Sequence, residues 1–187
     1  MPYPEKSSRL QALFFTFLGI VGAVIMIPHF IWLYLLSIAM GFVNFIAFWA
    51  ILFTGRYPQG MWNFNRKVIR YVMRVMGYAQ VLTVGYPPFG LSDEEYGLEL
   101  DVPYPERSSR LWLFFAMIAV IPVQIVHFFY NIAGGFLGFL GMFAVLFTGR
   151  YPRSWFEFVR KVNQHRLRIM SFVMWIRPEY PPFGLDD

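Results

Sequence analysis

The stretch LQALFFTFLGIVGAVIMIPHFIWLYLLSIAMGFVNFIAFWAILFTG, residues 10–55, runs for 46 residues without an Asp, Glu, Lys or Arg. Residues 111–149 form a second charge-free window of 39 residues, and all 16 basic and 11 acidic residues lie outside the two windows. An ionised side chain at the centre of a bilayer costs about 2.5–3.5 kcal/mol on insertion scales. The two windows therefore predict segments that are buried in lipid.

The composition of the 187-residue chain agrees with this prediction. It is 57% hydrophobic, 21% aromatic and only 14% charged, whereas soluble domains are about 25% charged. A water-soluble fold of this length could not enclose so much apolar surface. Soluble enzymes, nucleic-acid readers and disordered linkers are therefore disfavoured. The lack of cysteine excludes disulfides, thiolate metal sites and cysteine nucleophiles.

Each window is long enough for a helical hairpin, because one spanning helix needs about 20 residues. Pro28 and Pro122 could mark the turns, but the first helix of the second hairpin would then be too short to span. We favour turns at residues 37–41 and 131–135, where small and polar residues collect; the prolines then become kinks. The second arms of the hairpins are short, so the hairpins could also enter the bilayer without crossing it.

Three motifs occur twice, the second time 94 or 101 residues after the first, which indicates a tandem repeat. They are YPEKSSRL at 3–10 (YPERSSRL at 104–111), LFTGRYP at 52–58 and 146–152, and YPPFGL at 86–91 and 180–185. We predict repeat 1 over residues 1–91, an acidic linker over 92–102 and repeat 2 over 103–187. Because an even number of crossings would precede repeat 2, both repeats are expected to point the same way.

The motif series LFTGRYP, a basic amphipathic stretch and YPPF resembles a bacterial multi-pass membrane domain family of unknown function, here in two tandem copies. The resemblance covers nearly the whole chain. It implies a membrane location and this architecture, but no activity. Repeat 2 has Val123 where His29 would recur, so a role for that histidine in both copies is not implied.

An amphipathic helix is predicted after each LFTGRYP motif, over about residues 59–83 and 153–176, with Gly55 and Pro58 marking the boundary in repeat 1. Its basic residues cluster within an arc of about 100°, opposite an apolar side, which is typical of a helix lying in the membrane interface. These residues either bind lipid head groups or an acidic partner, or only obey the topology. The residues concerned are Arg56, Arg66, Lys67, Arg70, Arg74, Arg150, Arg160, Lys161 and Arg168.

Two further patterns point to packing or docking. Gly134, Gly138 and Gly141 present small residues on one helix surface, where another helix could approach closely: a partner or another part of this chain. The two YPPF strips are stiff aromatic segments that either fold back as caps or dock a partner. Their residues are Tyr86, Pro87, Pro88, Phe89, Tyr180, Pro181, Pro182 and Phe183.

Polar residues within the windows are candidates for function. His29 and His127 could in principle bind a haem from two sides, although a histidine bonded to a backbone carbonyl is the simpler interpretation. No Ser/His/Asp set, carboxylate pair or phosphate-binding loop occurs there. We therefore expect no cofactor, no metal and no enzymatic activity.

The sequence thus predicts an all-α membrane protein of two repeats, each a transmembrane hairpin followed by a basic interfacial helix. The expected function is a non-catalytic membrane subunit or scaffold that packs against a larger complex. An anionic-lipid-binding or bilayer-organising protein is the alternative, and a small transporter or channel is the third. Because basic residues flank both windows, both termini are expected in the cytoplasm, at the bacterial inner membrane.

Overall fold

A computed structural model describes residues 1–91, 103–105 and 107–185, and within these the chain is helical with no strand. The all-α prediction is thereby confirmed, while the acidic linker lies outside the described residues. The helices are α1 (Arg9–Thr16), α2 (Gly19–Thr54), α3 (Gln59–Ala79), α4 (Arg110–Ala119), α5 (Ile121–Thr148) and α6 (Arg153–Val173).

Both proposed pairs of turn positions within the windows are wrong. Helix α2 continues through Pro28 and residues 37–41, and α5 begins one residue before Pro122 and continues through residues 131–135. A turn inside an apolar segment would leave backbone groups without partners, whereas a proline costs a helix at most a local adjustment. The helices instead break at residues 17–18 and at Val120, so each window contains a short helix followed by one long helix.

The real hairpins are α2–α3 and α5–α6, and the Gly-Arg-Tyr-Pro sequences are their turns. Gly55 and Gly149 end α2 and α5 in the left-handed conformation, with φ of 68° and 76°, which favours glycine. Pro58 and Pro152 then precede the first residues of α3 and α6. The boundary predicted at Gly55 and Pro58 is confirmed.

Helix α3 runs antiparallel along α2 rather than lying apart from it. The Asn65 amide donates to Asn44 Oδ1 at 2.6 Å near the turn, and the Tyr71 hydroxyl lies 2.5 Å from His29 Nδ1 further along. Val68 is buried in the same cluster as α2 side chains. The apolar side of α3, predicted to enter lipid, therefore packs against the protein's own long helix.

Helices α3 and α6 are also antiparallel to each other, so the repeats point in opposite directions. Trp62, near the start of α3, donates through Nε1 to the carbonyl of Ile176 beyond the end of α6, at 3.1 Å. At the other end, the Asn163 amide donates to Gln80 Oε1 at 2.5 Å. The parallel orientation expected from an even number of crossings is wrong, because each repeat contains one long apolar helix instead of two.

The exposed apolar side chains are distributed unevenly over the helices. On α2 only one narrow stripe is buried, at spacings of three, four or seven residues: Gly22, Met26, His29, Leu36, Met40, Ala47 and Ile51. The rest of α2, together with α4 and α5, carries most of the large exposed hydrophobic side chains. Helices α3 and α6, which are described over their whole length, carry none.

Candidate functional site

The basic residues of α3 lie on the side of that helix facing away from α2. Val68 and Val75 pack in a cluster with α2, and Arg70 lies about 200° from Val68 at 100° per residue. Arg66 and Arg74 lie one turn before and after Arg70. The basic arc predicted from the sequence therefore lies on one side of α3, where Arg66 and Arg70 are half-buried and Arg74 is buried, with 7% of its surface exposed.

Neighbouring groups hold several of these basic side chains in place. The Arg66 guanidinium lies 5.3 Å from the centre of the Trp62 ring, a cation–π geometry. On α6, Arg160 pairs with Glu157 at 2.8 Å and donates to Gln164 at 3.2 Å. These contacts order the guanidinium groups of Arg66 and Arg160.

A basic residue missed by the sequence pattern lies between the repeats. Arg166 donates to Asn131 Oδ1 on α5 and, at 3.3 Å, to the Met76 sulfur on α3. Together with Asn163, it interrupts the apolar side of α6, because this side faces α3 rather than lipid. The sequence indicated this contact, because Asn163 and Arg166 are polar residues on the otherwise apolar side of the predicted interfacial helix.

Lys67, Lys161 and Arg168 are half-buried on the two central helices, whereas Arg56 and Arg150 are exposed in the two turns. The backbone N–H of Arg56 donates to Thr54 Oγ1 at 3.1 Å, and that of Arg150 donates to Thr148 Oγ1 at 3.2 Å. The nine predicted head-group residues thus do not form one site. Seven lie on the α3–α6 pair, and the two turn arginines lie at opposite ends of it.

The tyrosines of the two turns are buried anchors. Tyr57 and Tyr151 have no exposed surface. Burial raises the pKa of Tyr57 to about 12, and the hydrogen bond from Asn65 partly opposes this rise. Burial also raises the pKa of Tyr151. Both hydroxyl groups therefore keep their protons well into the alkaline range.

The glycine surface of α5 is occupied by this chain's own α6 and turn. A Cβ on Gly134 would lie 3.3 Å from Val162, and one on Gly141 would lie 2.2 Å from the Tyr151 ring. Gly138 is buried there as well, and a Cβ added to it would lie 4.0 Å from Tyr151 and Val159. These glycines are helix-packing residues, but a partner helix at Gly138 is excluded because α6 already fills the place.

Both YPPF strips fold back onto the helices of their own repeat. Phe89 stacks on the His29 ring, with centroids 4.3 Å apart and planes at 9°, and Tyr86 donates to the carbonyl of Ile25 at 3.3 Å. In repeat 2, Tyr180 donates to the carbonyl of Ala119 at 2.9 Å. The Pro182 carbonyl accepts a hydrogen bond from the His165 ring nitrogen Nε2, on α6, at 2.7 Å. Both strips therefore fold back as caps, while docking of a partner on them stays a prediction. Pro87 and Pro181 are buried, Pro88 is half-buried and Phe183 is exposed.

The two candidate haem ligands have different partners in different repeats. His29 Nδ1 contacts the Tyr71 hydroxyl, and His127 Nδ1 lies 2.9 Å from His165 Nδ1. No hydrogen bond or ring contact joins His29 to His127 in the part of the chain that the structure describes. Among the described residues, no group of three His, Cys, Asp or Glu is placed to hold a metal ion. The geometry therefore gives the haem hypothesis no support.

A family model for a domain of unknown function, DUF4389, matches residues 20–90 and again residues 110–184. The chain belongs to this family and contains its domain twice. No curated protein and no solved structure matches the chain. Helices α2 and α5 are long and apolar enough to cross a membrane.

Proposed function

We propose that this member of the DUF4389 family is a non-catalytic membrane scaffold that lies in one leaflet and presents its α3–α6 pair to anionic lipid head groups. The observation that carries the proposal is the separation of the two surfaces. Large exposed hydrophobic side chains cover α2, α4 and α5 but are missing from α3 and α6, where the basic residues lie. A bilayer interface has the same two chemistries on its two sides.

The position of the basic residues along the helices favours an orientation in the membrane plane. Val68 packs with Leu36 and Met40, close to the midpoint of α2, so Arg66 and Arg70 lie level with that midpoint. If α2 crossed the bilayer, these arginines would lie near its centre, at about 2.5–3.5 kcal/mol each. If the helices lie flat in the membrane, their apolar layer is one helix thick, about 10 Å. This layer fits within the hydrocarbon region of one leaflet, which is about 15 Å thick.

This orientation also agrees with the expected topology. The repeats are antiparallel, so spanning helices would place the two turns on opposite sides of the membrane. Helices that lie in the plane keep both turns, with their exposed Arg56 and Arg150, on one side. By the positive-inside rule, that side is the cytoplasmic face of the bacterial inner membrane, and both termini face it.

Lipid retention by the full-length protein tests the proposal. In native mass spectrometry from detergent, the wild type is expected to retain anionic phospholipid in preference to neutral phospholipid. Replacing Arg66, Arg70 and Arg74 by Gln removes three charges. Arg66 and Arg70 are half-buried and each is worth about 1 kcal/mol near an anionic surface, whereas Arg74 is buried, so the retention should weaken by about 2 kcal/mol. Equal retention of anionic and neutral lipid by the wild type would contradict it.

Replacing the same three arginines by Lys is the matched control. It keeps the charge and removes the guanidinium geometry. Attraction to the lipid surface predicts that the Lys variant retains anionic lipid while the Gln variant does not. Thermal unfolding of both variants in detergent separates lost binding from lost folding, which matters because Arg74 is buried.

A membrane subunit that packs against a larger complex is the second candidate. The aromatic row Phe128, Phe129, Phe136 and Phe139 on α5 is more than half exposed, and either lipid or the helices of a partner could cover it. Native-gel migration of a gently solubilised membrane extract decides between them. A stoichiometric large complex would support the subunit, and a free 22.0 kDa species would support lipid alone.

A further inference from the structure

The segment that begins each repeat contacts the turn of the other repeat. We call residues 3–8 and 104–109 arm 1 and arm 2. The backbone N–H of Ser7 in arm 1 donates to the carbonyl of Gly149 at 3.2 Å. The backbone N–H of Ser108 in arm 2 donates to the carbonyl of Gly55 at 2.9 Å. The same serine of the motif thus bonds the same glycine of the opposite turn.

The tyrosine of each arm also bonds the turn of the opposite repeat. The Tyr3 hydroxyl donates to the backbone carbonyl of Tyr151 at 2.5 Å. The Tyr104 hydroxyl donates in the same way to the carbonyl of Tyr57. The rings also pack on the opposite repeat, Tyr3 edge-on to Phe156 with centroids 5.2 Å apart.

The arginine after each arm completes the contact. Arg110 Nη2 donates to the carbonyl of Phe53 at 3.1 Å, in the last turn of α2. Arg9 lies beside Gly149, where an added Cβ would be 3.1 Å from its Nε. The left-handed glycine therefore has a second use here, because it leaves room for the arginine of the other repeat.

An arm cannot reach the turn of its own repeat. Helix α2 has 36 residues, so residues 55–57 lie about 54 Å from its first residue. The eight residues of α1 can lead back along about 12 Å of this length, which leaves about 42 Å between arm 1 and the turn of its own repeat. Helix α5, with 28 residues, is about 42 Å long, and even if the ten residues of α4 led back along it by about 15 Å, arm 2 would remain about 27 Å from residues 149–151. Each turn can accept an arm only from another repeat.

We propose that each arm is a docking peptide for a Gly-Arg-Tyr-Pro turn, and that these contacts join the repeats without help from the linker. The chain is then an internal dimer. Because both arms read Tyr-Pro-Glu-Lys/Arg-Ser-Ser and both turns read Gly-Arg-Tyr-Pro, a repeat of a second copy of this chain fits the same place. The partner of this surface is another repeat of the same kind.

Cleavage of the intact protein between its repeats tests this proposal. A site-specific protease sequence is inserted between Gly97 and Leu98, with different affinity tags on the two ends of the chain. After cleavage in detergent, both fragments are expected to elute together from either tag. When two preparations with different tags are mixed after cleavage, mixed pairs should form. Fragments that separate on cleavage would overturn the proposal.

Hydroxyl removal links the association to the arms. Replacing Tyr3 and Tyr104 together by Phe removes one hydrogen bond from each arm and should speed the exchange of cleaved fragments about tenfold per bond. Tyr34→Phe is the matched control, because Tyr34 is exposed on α2 and outside the arms. Equal exchange rates in the double variant and the control would contradict a docking role.

Cross-linking gives an independent measurement that needs no cleavage. The chain has no cysteine, so Ser7→Cys combined with Arg150→Cys provides the only two thiols. A short bis-maleimide is expected to join them within one chain. Ser7→Cys combined with Arg56→Cys, on the turn that arm 1 cannot reach, is the control and should not cross-link. Efficient cross-linking of the control alone would overturn the exchange of arms.

Discussion

The two turns differ in what surrounds the same buried tyrosine. In repeat 1, the Asn65 amide donates to the Tyr57 hydroxyl at 2.7 Å and to Asn44 Oδ1 at 2.6 Å. Among the described residues of repeat 2, no side-chain amide donates a hydrogen bond to the hydroxyl of Tyr151. Its hydroxyl lies 3.5 Å from the carbonyl of Gly138, a long contact, and the missing side chain at Gly141 makes room for its ring.

The difference shows that a repeated motif can be retained while the residues around it accommodate it in two different ways. One copy satisfies a buried hydroxyl with polar partners, and the other accommodates it by removing side chains from the facing helix. The positions correspond at an offset of 94, since Ala47 faces Tyr57 where Gly141 faces Tyr151. Repeat 2 is therefore the tighter packing and repeat 1 the more polar one.

The largest effect is expected at the glycine that receives Tyr151. Gly141→Ala places a Cβ within 2.5 Å of three Tyr151 atoms on a ring with no exposed surface, and should cost up to about 3 kcal/mol of folding free energy. Thermal unfolding in detergent measures the loss. Gly135→Ala, on the same helix with nothing within 4 Å, should instead stabilise by up to about 1 kcal/mol. Equal effects at both positions would refute the packing described for repeat 2.

The next largest effect is expected from removing the hydroxyl groups of Tyr57 and Tyr151, and it should differ between the two repeats. Tyr57→Phe leaves a buried Asn65 donor with one partner fewer and should cost about 1–3 kcal/mol. Tyr151→Phe removes only a long contact and should cost under about 1 kcal/mol. Denaturation of both variants under the same conditions gives the comparison. A greater loss in Tyr151→Phe would reverse our assignment of the polar core to repeat 1.

Alkaline pH is expected to lower the folding stability through the ionisation of Tyr57. Its pKa is about 12 in the folded protein and near 10 in the unfolded chain, so its contribution to stability is complete below pH 10. Between pH 10 and 12 the unfolded chain loses this proton while the folded protein keeps it, and stability falls as pH rises. Absorbance of tyrosinate near 295 nm, compared between wild type and Tyr57→Phe, reports the titration. Ionisation of Tyr57 near pH 10 would contradict its burial.

The smallest effect concerns the helices that follow the arms. The Ser8 hydroxyl accepts from the backbone N–H of Gln11 at 3.2 Å and caps α1, whereas Ser109 makes no such bond at α4. Ser8→Ala should therefore cost about 0.5–1 kcal/mol, and Ser109→Ala close to none. Thermal unfolding of the two variants measures the difference, and similar losses in both would show that the caps are equivalent.

The sequence was sufficient for the helical class, the two repeats and the helix boundary at the turns. Each follows from local information: charge-free windows, duplicated motifs, and a glycine followed by a proline. The turns within the windows could not be predicted correctly, because residues 37–41 and 131–135 have turn-forming composition, yet the apolar helix is more stable uninterrupted.

The partners of the candidate residues depended on long-range contacts that no local pattern contains. The basic arc of α3 was predictable from its spacing, but the neighbour of its apolar side could equally have been lipid or α2. The exchange of arms joins Tyr3 to Tyr151 across 148 residues, and only the antiparallel order of the repeats makes it necessary. The polar positions on α6, Asn163 and Arg166, were the one local sign that this helix faces another repeat.

The most direct test of the membrane orientation is thiol labelling from outside the cell. In the cysteine-free chain, single cysteines replace Ser37 at the middle of α2, Arg56 in the first turn and Arg150 in the second. A membrane-impermeant maleimide added to intact cells is expected to label none of the three, and to label the turn positions after permeabilisation. Labelling of just one turn from outside would mean that the helices span the membrane. Labelling of Ser37→Cys would mean that α2 turns back at the outer surface. Either result would contradict a protein that lies in the cytoplasmic leaflet.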